Sequence, residues 1–435
     1  MRPYAFPGGA LRLAIVCVIL AGSTLGTPAE KPRSAAASSD QGRSKKPLAS
    51  SPLGQPRLVL PRAPSSAHPA TVSGFQHYYD LELDAAVRDF ERAYADHSQD
   101  PFAVNHLLAA VLVRELVRVG ALDSSLYSSN SFITRKEYVI DPAVRERVQD
   151  LSARSIGLCD ARLEHMPADA DALYARGVAR SLLAAYQGVL ERAWFAALRS
   201  AHEAREDHEE VLDLSPGYAD AKTVVGIHNY IAGSMPWTVK LALSLTGMSG
   251  SKSKGLTLLA EAAAAHGVTA IDARIALALF LRREQQYDEA LPVVQQLTHE
   301  RPRNFYFALE EGNILNAAGE GTRAAAAYRQ VLEATARGKY AQPRPELAAY
   351  GLGEALRGQR QFLPAAQAYD RVQGARPADA ELTLRACLAA GEMYDALGDR
   401  DHAVVRYRTV LRTAPADSAF HSTARKRLKE PFKAR

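Results

Sequence analysis

The stretch His202-Glu203-Ala204-Arg205-Glu206-Asp207-His208-Glu209-Glu210 is the one cluster of histidines and carboxylates in the chain. On a helix, His202, Glu206 and Glu210 share a face, and an imidazole with two carboxylates is a donor set that suits a divalent cation. His208 falls at an inward-pointing position, so the segment is read as a solvated acidic helix, and no metal or other cofactor is expected. His106, Asn130, His228 and Asn229 could line a groove, but nothing in their spacing specifies a reaction. No HExxH, GxSxG, P-loop, GxGxxG or CxxC pattern occurs. Enzymatic activity is therefore not expected.

The elements that would position such side chains begin with composition. The chain has 435 residues, 47% hydrophobic and 23% charged, which excludes wholesale disorder and collagen-like repetition. Three cysteines exclude a disulfide-rich scaffold. One apolar run, at the N-terminus, excludes a polytopic membrane protein. Arg2 and Arg12 precede the apolar core Leu13–Ala21, followed by small residues through Gly26, the pattern of a signal peptide. The core is shorter than the roughly 20 residues a spanning helix needs. Leu20-Ala21-Gly22-Ser23 has Ser where a lipid-bearing Cys would stand, so no lipid anchor is expected. The expected address is export, to the periplasm or cell envelope, with an uncleaved N-terminal anchor as the alternative.

Residues 27–70 are rich in Pro, Ser and Ala and carry a balance of +5, which reads as a disordered basic linker. With Arg2 and Arg12 in the signal peptide, the total of +5 leaves residues 71–435 at −2. The basicity lies outside the body, so a nucleic-acid partner is not expected.

From residue 271 the chain repeats with a period near 34. Small residues recur at positions 8 and 20 of each unit, apolar or aromatic ones at 11, 24 and 27, and Pro at 32. The unit starting at 346 gives Gly353, Leu356, Ala365, Tyr369, Val372 and Pro377; the unit at 384 gives Gly391, Tyr394, Ala403, Tyr407, Val410 and Pro415. Each unit predicts two antiparallel helices whose backbones approach at the small residues, with the position-24 aromatic filling the gap between units. Pro ends the second helix. The pattern resembles the tetratricopeptide repeat family, exported bacterial type, which implies an all-α, right-handed superhelical solenoid in which stacking supplies the core.

About eight helix pairs are expected, near 71–100, 101–169, 170–218, 219–270, 271–304, 305–338, 346–379 and 384–417, then a basic terminal helix over 418–430. The early units carry insertions, at 120–141, within the third unit and at 235–254. In a solenoid Cys159 and Cys387 lie too far apart to pair and read as inert core thiols. Residues 226–256, from Gly226-Ile-His-Asn-Tyr230 through Met235-Pro236-Trp237 to Gly247-Met-Ser-Gly250-Ser-Lys252-Ser-Lys254-Gly255-Leu256, also resemble the eukaryotic tetratricopeptide family associated with inclusion-body clearance. Met248, Ser251 and Lys252 depart from that family's Phe, Asp and Arg.

Within that insertion, Trp237, Lys240 and Leu241 have the character of a membrane-surface or partner contact, against the alternative of added core. The tetratricopeptide resemblance implies a concave face formed by positions 2, 5, 9, 12 and 13 of the first helices. Here that face comprises Tyr174, Tyr230, Arg282, Arg283, Tyr306, Asn313, Asn316, Tyr350, Glu354, Arg357, Glu392 and Asp395. The Lys/Asn pair with which family members clamp a chaperone's terminal carboxylate is missing: the 5/9 pairs are Thr223/Ile227, Ile275/Leu279, Leu309/Asn313, Tyr350/Glu354 and Leu388/Glu392. Aromatic faces with mixed charge suit an extended peptide or amphipathic helix, although an ordinary polar solenoid surface has the same composition. The expectation is an exported scaffold binding a protein or peptide in its groove. The alternatives are a peripheral membrane or transporter-accessory protein, and a solenoid binding a small molecule. Oligomeric state is not fixed by the residues.

Overall fold

The computed structural model describes residues 64–122, 138–234, 249–265, 267, 269–374 and 379–434. Among them are 17 α-helices and no strand. They form eight antiparallel pairs: α1 (Pro69–Tyr79) with α2 (Leu83–Asp96), α3 (Pro101–Arg118) with α4 (Pro142–His165), α5 (Ala170–Ala185) with α6 (Trp194–Leu214), and α7 (Ala219–Ser234) with α8 (Lys252–Ala264). Then come α9 (Ala270–Arg283) with α10 (Tyr287–Glu300), α11 (Phe305–Ala317) with α12 (Gly321–Ala336), α13 (Pro345–Gly358) with α14 (Phe362–Asp370), and α15 (Ala380–Ala396) with α16 (Arg400–Thr413). The single helix α17 (Ala419–Lys429) follows. This is an all-α solenoid of stacked helix pairs. Residues 64–70, assigned to the linker on composition, are instead part of the body. Pro64–Ala67 form a 3-10 turn, Pro69 opens α1, and the Ser65 N–H donates to Asp100 Oδ2 at 3.2 Å.

Local chemistry sets the helix ends. Asp100, Asp141, Asp169, Asn304 and Asp379 cap first or second helices through their side chains, with Pro at the first position after Asp100 and Asp141. Within several pairs the chain reverses through one residue in the left-handed region: Leu81, Gln285 and Arg360 at φ 61°, 62° and 59°, Gly319 and Gly398 at 80° and 79°. The next N–H then reaches back to close the turn, as Gln286 does to Leu281 O and Glu320 to Leu315 O, both at 2.9 Å.

The position-8 glycine and the position-24 aromatic meet inside their own pair, which corrects the expected role between units. A Cβ on Gly353 would lie 2.5 Å from Tyr369, and one on Gly391 2.6 Å from Tyr407. Tyr328 does both jobs, its ring lying against Gly312 of its own pair and Gly351 of the next. In the fourth pair the glycines of the distinctive 226–256 stretch bring backbone onto backbone: a Cβ on Gly255 would lie 2.5 Å from Tyr230 N and 2.7 Å from Gly226 O.

Two cores result. One runs through the first five pairs, from Tyr78 to Val294, and reaches Ile314. The other runs from Phe305 through the last three pairs to Ala424 in α17. At the centre of the first lies α3, buried on every face as its run Leu107-Leu108-Ala109-Ala110-Val111-Leu112-Val113 demands. Cys159 and Cys387 are free and buried, and burial pushes their thiols up to about 12 and about 11.

The first pair does not end the solenoid as a free edge. Tyr79 donates its hydroxyl to Asp272 Oδ1 of α9 at 3.2 Å, and the Asn304 amide donates to Tyr79 O at 2.7 Å, both buried. Arg303 pairs with Glu82, and the Arg301 guanidinium lies 5.3 Å from the Tyr79 ring centre. These contacts bridge 193 to 225 residues of sequence. The first five pairs thus curl until the first rests on the fifth and the start of the sixth.

Candidate functional site

The curl decides what remains of the concave face. At the seam, Ile275 and Leu279, groove positions of the fifth pair, are covered by Tyr78, Tyr79 and Leu81 from the first pair and by Val113 and Leu122 from the second. Between them is a cavity of about 110 Å³, walled mainly by apolar atoms and rimmed by Asn304, Tyr306 and Glu310. Glu310 is tied down there, accepting from Arg282 and, at 3.0 Å, from the Asn313 amide. Burial raises the Asp80 carboxyl beside the seam, and the Arg301 and Arg303 charges oppose that shift. Gly120, at φ +73°, has the Arg344 guanidinium of the seventh pair next to its Cα. The start of the 120–141 insertion therefore reaches across the face toward the seventh pair.

Two of the expected groove residues are not on that face. Tyr174 is 1% exposed, packed among Phe102, His208 and Tyr218 with ring centres 5.0 to 6.3 Å away. Tyr230 is fully buried, stacked on Phe280 at 3.8 Å, and donates to Glu284 Oε1 at 2.8 Å. Position counting points these rings outward, whereas rings of their own and the adjacent pairs enclose them, Phe102, His208 and Tyr218 around Tyr174 and Phe280 against Tyr230. Arg283 is half-buried beside them.

The remaining positions line the last three pairs, all of them partly exposed. Asn313 accepts from the Tyr328 hydroxyl at 2.8 Å, while Asn316 lies one turn further along α11. Tyr350 packs against Tyr369 with ring centres 5.5 Å apart, and Glu354 accepts from the Tyr369 hydroxyl at 2.5 Å. Arg357, on α13, donates to Glu392 Oε2 on α15 at 3.1 Å. On the other side of the same carboxylate, Arg427 of α17 donates to Oε1 at 2.8 Å. Asp395 Oδ2 accepts from the Tyr407 hydroxyl at 2.9 Å and from the Phe432 N–H at 2.8 Å.

Phe432 was not anticipated. Its ring lies against two guanidiniums, 4.9 Å from Arg427 and 5.7 Å from Arg357, so the chain beyond α17 lies in the groove of the last two pairs. The residue preceding Pro431 is extended, Glu430 at φ −124° and ψ 99°, as proline requires of its neighbour. The dipeptide Pro431-Phe432 after a basic helix was the available signal: a proline stop followed by a lone aromatic.

The acidic segment is not wholly solvated. Asp207 is 3% exposed and joins Arg176 and Arg180, each at 2.7 Å, while Arg176 also reaches Asp160 at 2.8 Å. His202 pairs with Glu206 at 3.4 Å, Glu210 is exposed, and His208 is buried against Gly177. Among the described residues no three His, Cys, Asp or Glu side chains are placed to hold a metal ion. His106 and His228 are separate. His106 packs on Phe75 and Phe90, and burial lowers it to about 4. Burial and the Arg205 charge lower His228 to about 3; it lies 3.3 Å from that guanidinium, and Asn229 donates to Val225 O. Asn130, Trp237, Lys240 and Leu241 lie outside the described residues, and no described helix is long and apolar enough to cross a membrane.

No protein-family model matches the chain, and no curated protein is significantly similar to it. Among solved structures it is similar to PilF of Pseudomonas aeruginosa, with 16% identity over 59% of this chain and 96% of that one and a TM-score of 0.36. It is also similar to a tetratricopeptide repeat protein from Parabacteroides merdae, with 12% identity, coverage of 74% and 97% and a TM-score of 0.30. Human IFIT1, solved as a dimer with m7Gppp-AAAA, gives 13% identity, 83% and 82% coverage and a TM-score of 0.41. At these scores the likenesses carry no activity over to this chain.

Proposed function

We propose that the protein is an exported scaffold that binds a protein or peptide partner on the concave face of its last three helix pairs. Export is supported by the charged start, short apolar core and small-residue exit of residues 1–26. The observation that carries the binding role is the groove between α13 and α15, which already holds an extended stretch of polypeptide through a backbone N–H and an aromatic ring. Partly exposed Tyr350, Glu354 and Asn316 continue that surface toward the sixth pair. Such a mixture of aromatic faces and charge suits an extended ligand.

A photoreactive benzoylphenylalanine in place of Tyr350 should yield discrete crosslinked species from the native envelope. The same group in place of Val405, which is 49% exposed on α16, should yield none. Equal labelling from both positions, or none from either, would remove the groove from consideration.

A second reading has one observation in its favour, the apolar seam cavity, whose size suits a small apolar ligand. Solvent extraction of the purified protein followed by mass spectrometry checks it, since a stoichiometric small molecule should be recovered.

A further inference from the structure

Resting on the scaffold reading, we propose that the Arg357–Glu392–Asp395 groove recognises extended peptides bearing an aromatic residue, and that residues 430–434 of the chain are its internal, displaceable occupant. The seated segment defines the chemistry. Asp395 takes a backbone N–H, which any peptide except one with proline there offers. The facing guanidiniums of Arg357 and Arg427 take a ring face, through the attraction of a cation for the π quadrupole. Glu392 fixes both guanidiniums, so the slot persists with or without a ring in it. An aliphatic residue would fill the space without that attraction, and a second cation would be repelled.

The occupant is built to leave without unfolding what holds it. Helix α17 is anchored on its own: Ala424 is fully buried, Arg427 is paired with Glu392, and Arg400 donates to the last-turn carbonyls of Arg427 and Leu428 at 2.9 and 2.7 Å. Beyond Glu430 the segment is held by the Phe432 N–H, the two ring contacts and the packing of that one ring on the edge of the second core, while Pro431 and Lys433 are exposed. A tether this short keeps the segment at an effective concentration of about millimolar at the groove. Outside ligands must therefore exceed that competition or find the segment disengaged.

The test uses a fluorescein-labelled peptide with the sequence of residues 429–434 and a control with Ala in place of the Phe, titrated by polarisation into the full chain. The Phe432→Ala chain is expected to bind the aromatic peptide at least tenfold more tightly than the unaltered chain, and to ignore the control. Adding Arg357→Ala should reverse most of that gain. Equal affinity of both chains, or indifference to the peptide's ring, would overturn the proposal. A second readout does not depend on removing Phe432. With 4-fluorophenylalanine at position 432, saturating unlabelled peptide should move the 19F resonance to its solvent-exposed position, and an unmoved resonance counts against displacement. Crosslinking from Tyr350 without any binding of the aromatic peptide would sink this inference and leave the scaffold reading standing.

Discussion

The first five helix pairs and the last three are made from the same repeat and behave as different objects. In the first five, insertions enlarge the second to fourth units, α3 is buried along most of its length, and the first pair closes on the fifth through Tyr79, Asp272 and Asn304. Their concave face is consumed as core, and what is left of it is a cavity of about 110 Å³. In the last three, Asn316, Tyr350 and Glu354 stay partly exposed, while the nearly buried carboxylates of Glu392 and Asp395 serve an extended segment and the arginines around it.

That division can be tested by attacking each part separately, since a solenoid's stability is close to a sum of unit and interface contributions. The largest effect is expected from Gly353→Leu. A Cβ alone would lie 2.5 Å from the Tyr369 ring, and forcing a branched side chain between α13 and α14 should cost about 3 kcal/mol. Hydrogen exchange should show faster opening of 305–429 with 69–300 unaffected; uniform loss of protection would mean one cooperative body. Next comes acid. His106 is buried without a protein hydrogen-bond partner, and its folded-state value, lowered to about 4, lies below the 6.5 of the unfolded chain. The unfolded state therefore takes up the proton first. Stability is intact above pH 6.5 and falls as pH drops toward 4, by about 2 kcal/mol at pH 5 from this group. Denaturant titrations at pH 7 and pH 5 should show the loss, to which His208 and His228, also lowered by burial, add their own shares, and His106→Leu should remove the His106 share of about 2 kcal/mol; an unchanged pH response would mean other groups carry the acid sensitivity. The smallest effect is expected from Asn304→Ala, which removes the bond to Tyr79 O and the cap of α11 and should cost about 1.5 kcal/mol. Protection should fall at both 69–82 and 305–310, far apart in sequence; a loss confined to α11 would show that the seam does not couple them.

Much of the local structure is legible in the residues. Proline stops, Asp and Asn caps, and the small-residue and aromatic spacing fix eight pairs and a terminal helix, because those signals act over a few residues. The curl is not legible, since it depends on how each insertion re-angles one pair on the next. Hence Asp272 and Asn304 look like ordinary helix-start residues, yet they receive and grip Tyr79. Counting repeat positions does not foresee Tyr174 and Tyr230 either, because their burial depends on rings that stacking brings from Phe102, Tyr218 and Phe280. Phe432 was missed because a terminal segment has no periodicity to betray where it rests.

The seam also sets an order of events as the chain is made. Most contacts in a helical repeat are local, so each pair can form soon after it emerges. Tyr79 has no such option, because Asp272 and Asn304 follow it by 193 and 225 residues. Until they arrive, Tyr78, Tyr79 and Leu81 lack the α9 and α11 surfaces that cover them at the seam. A few contacts of high sequence separation thus delay completion of a mostly local fold.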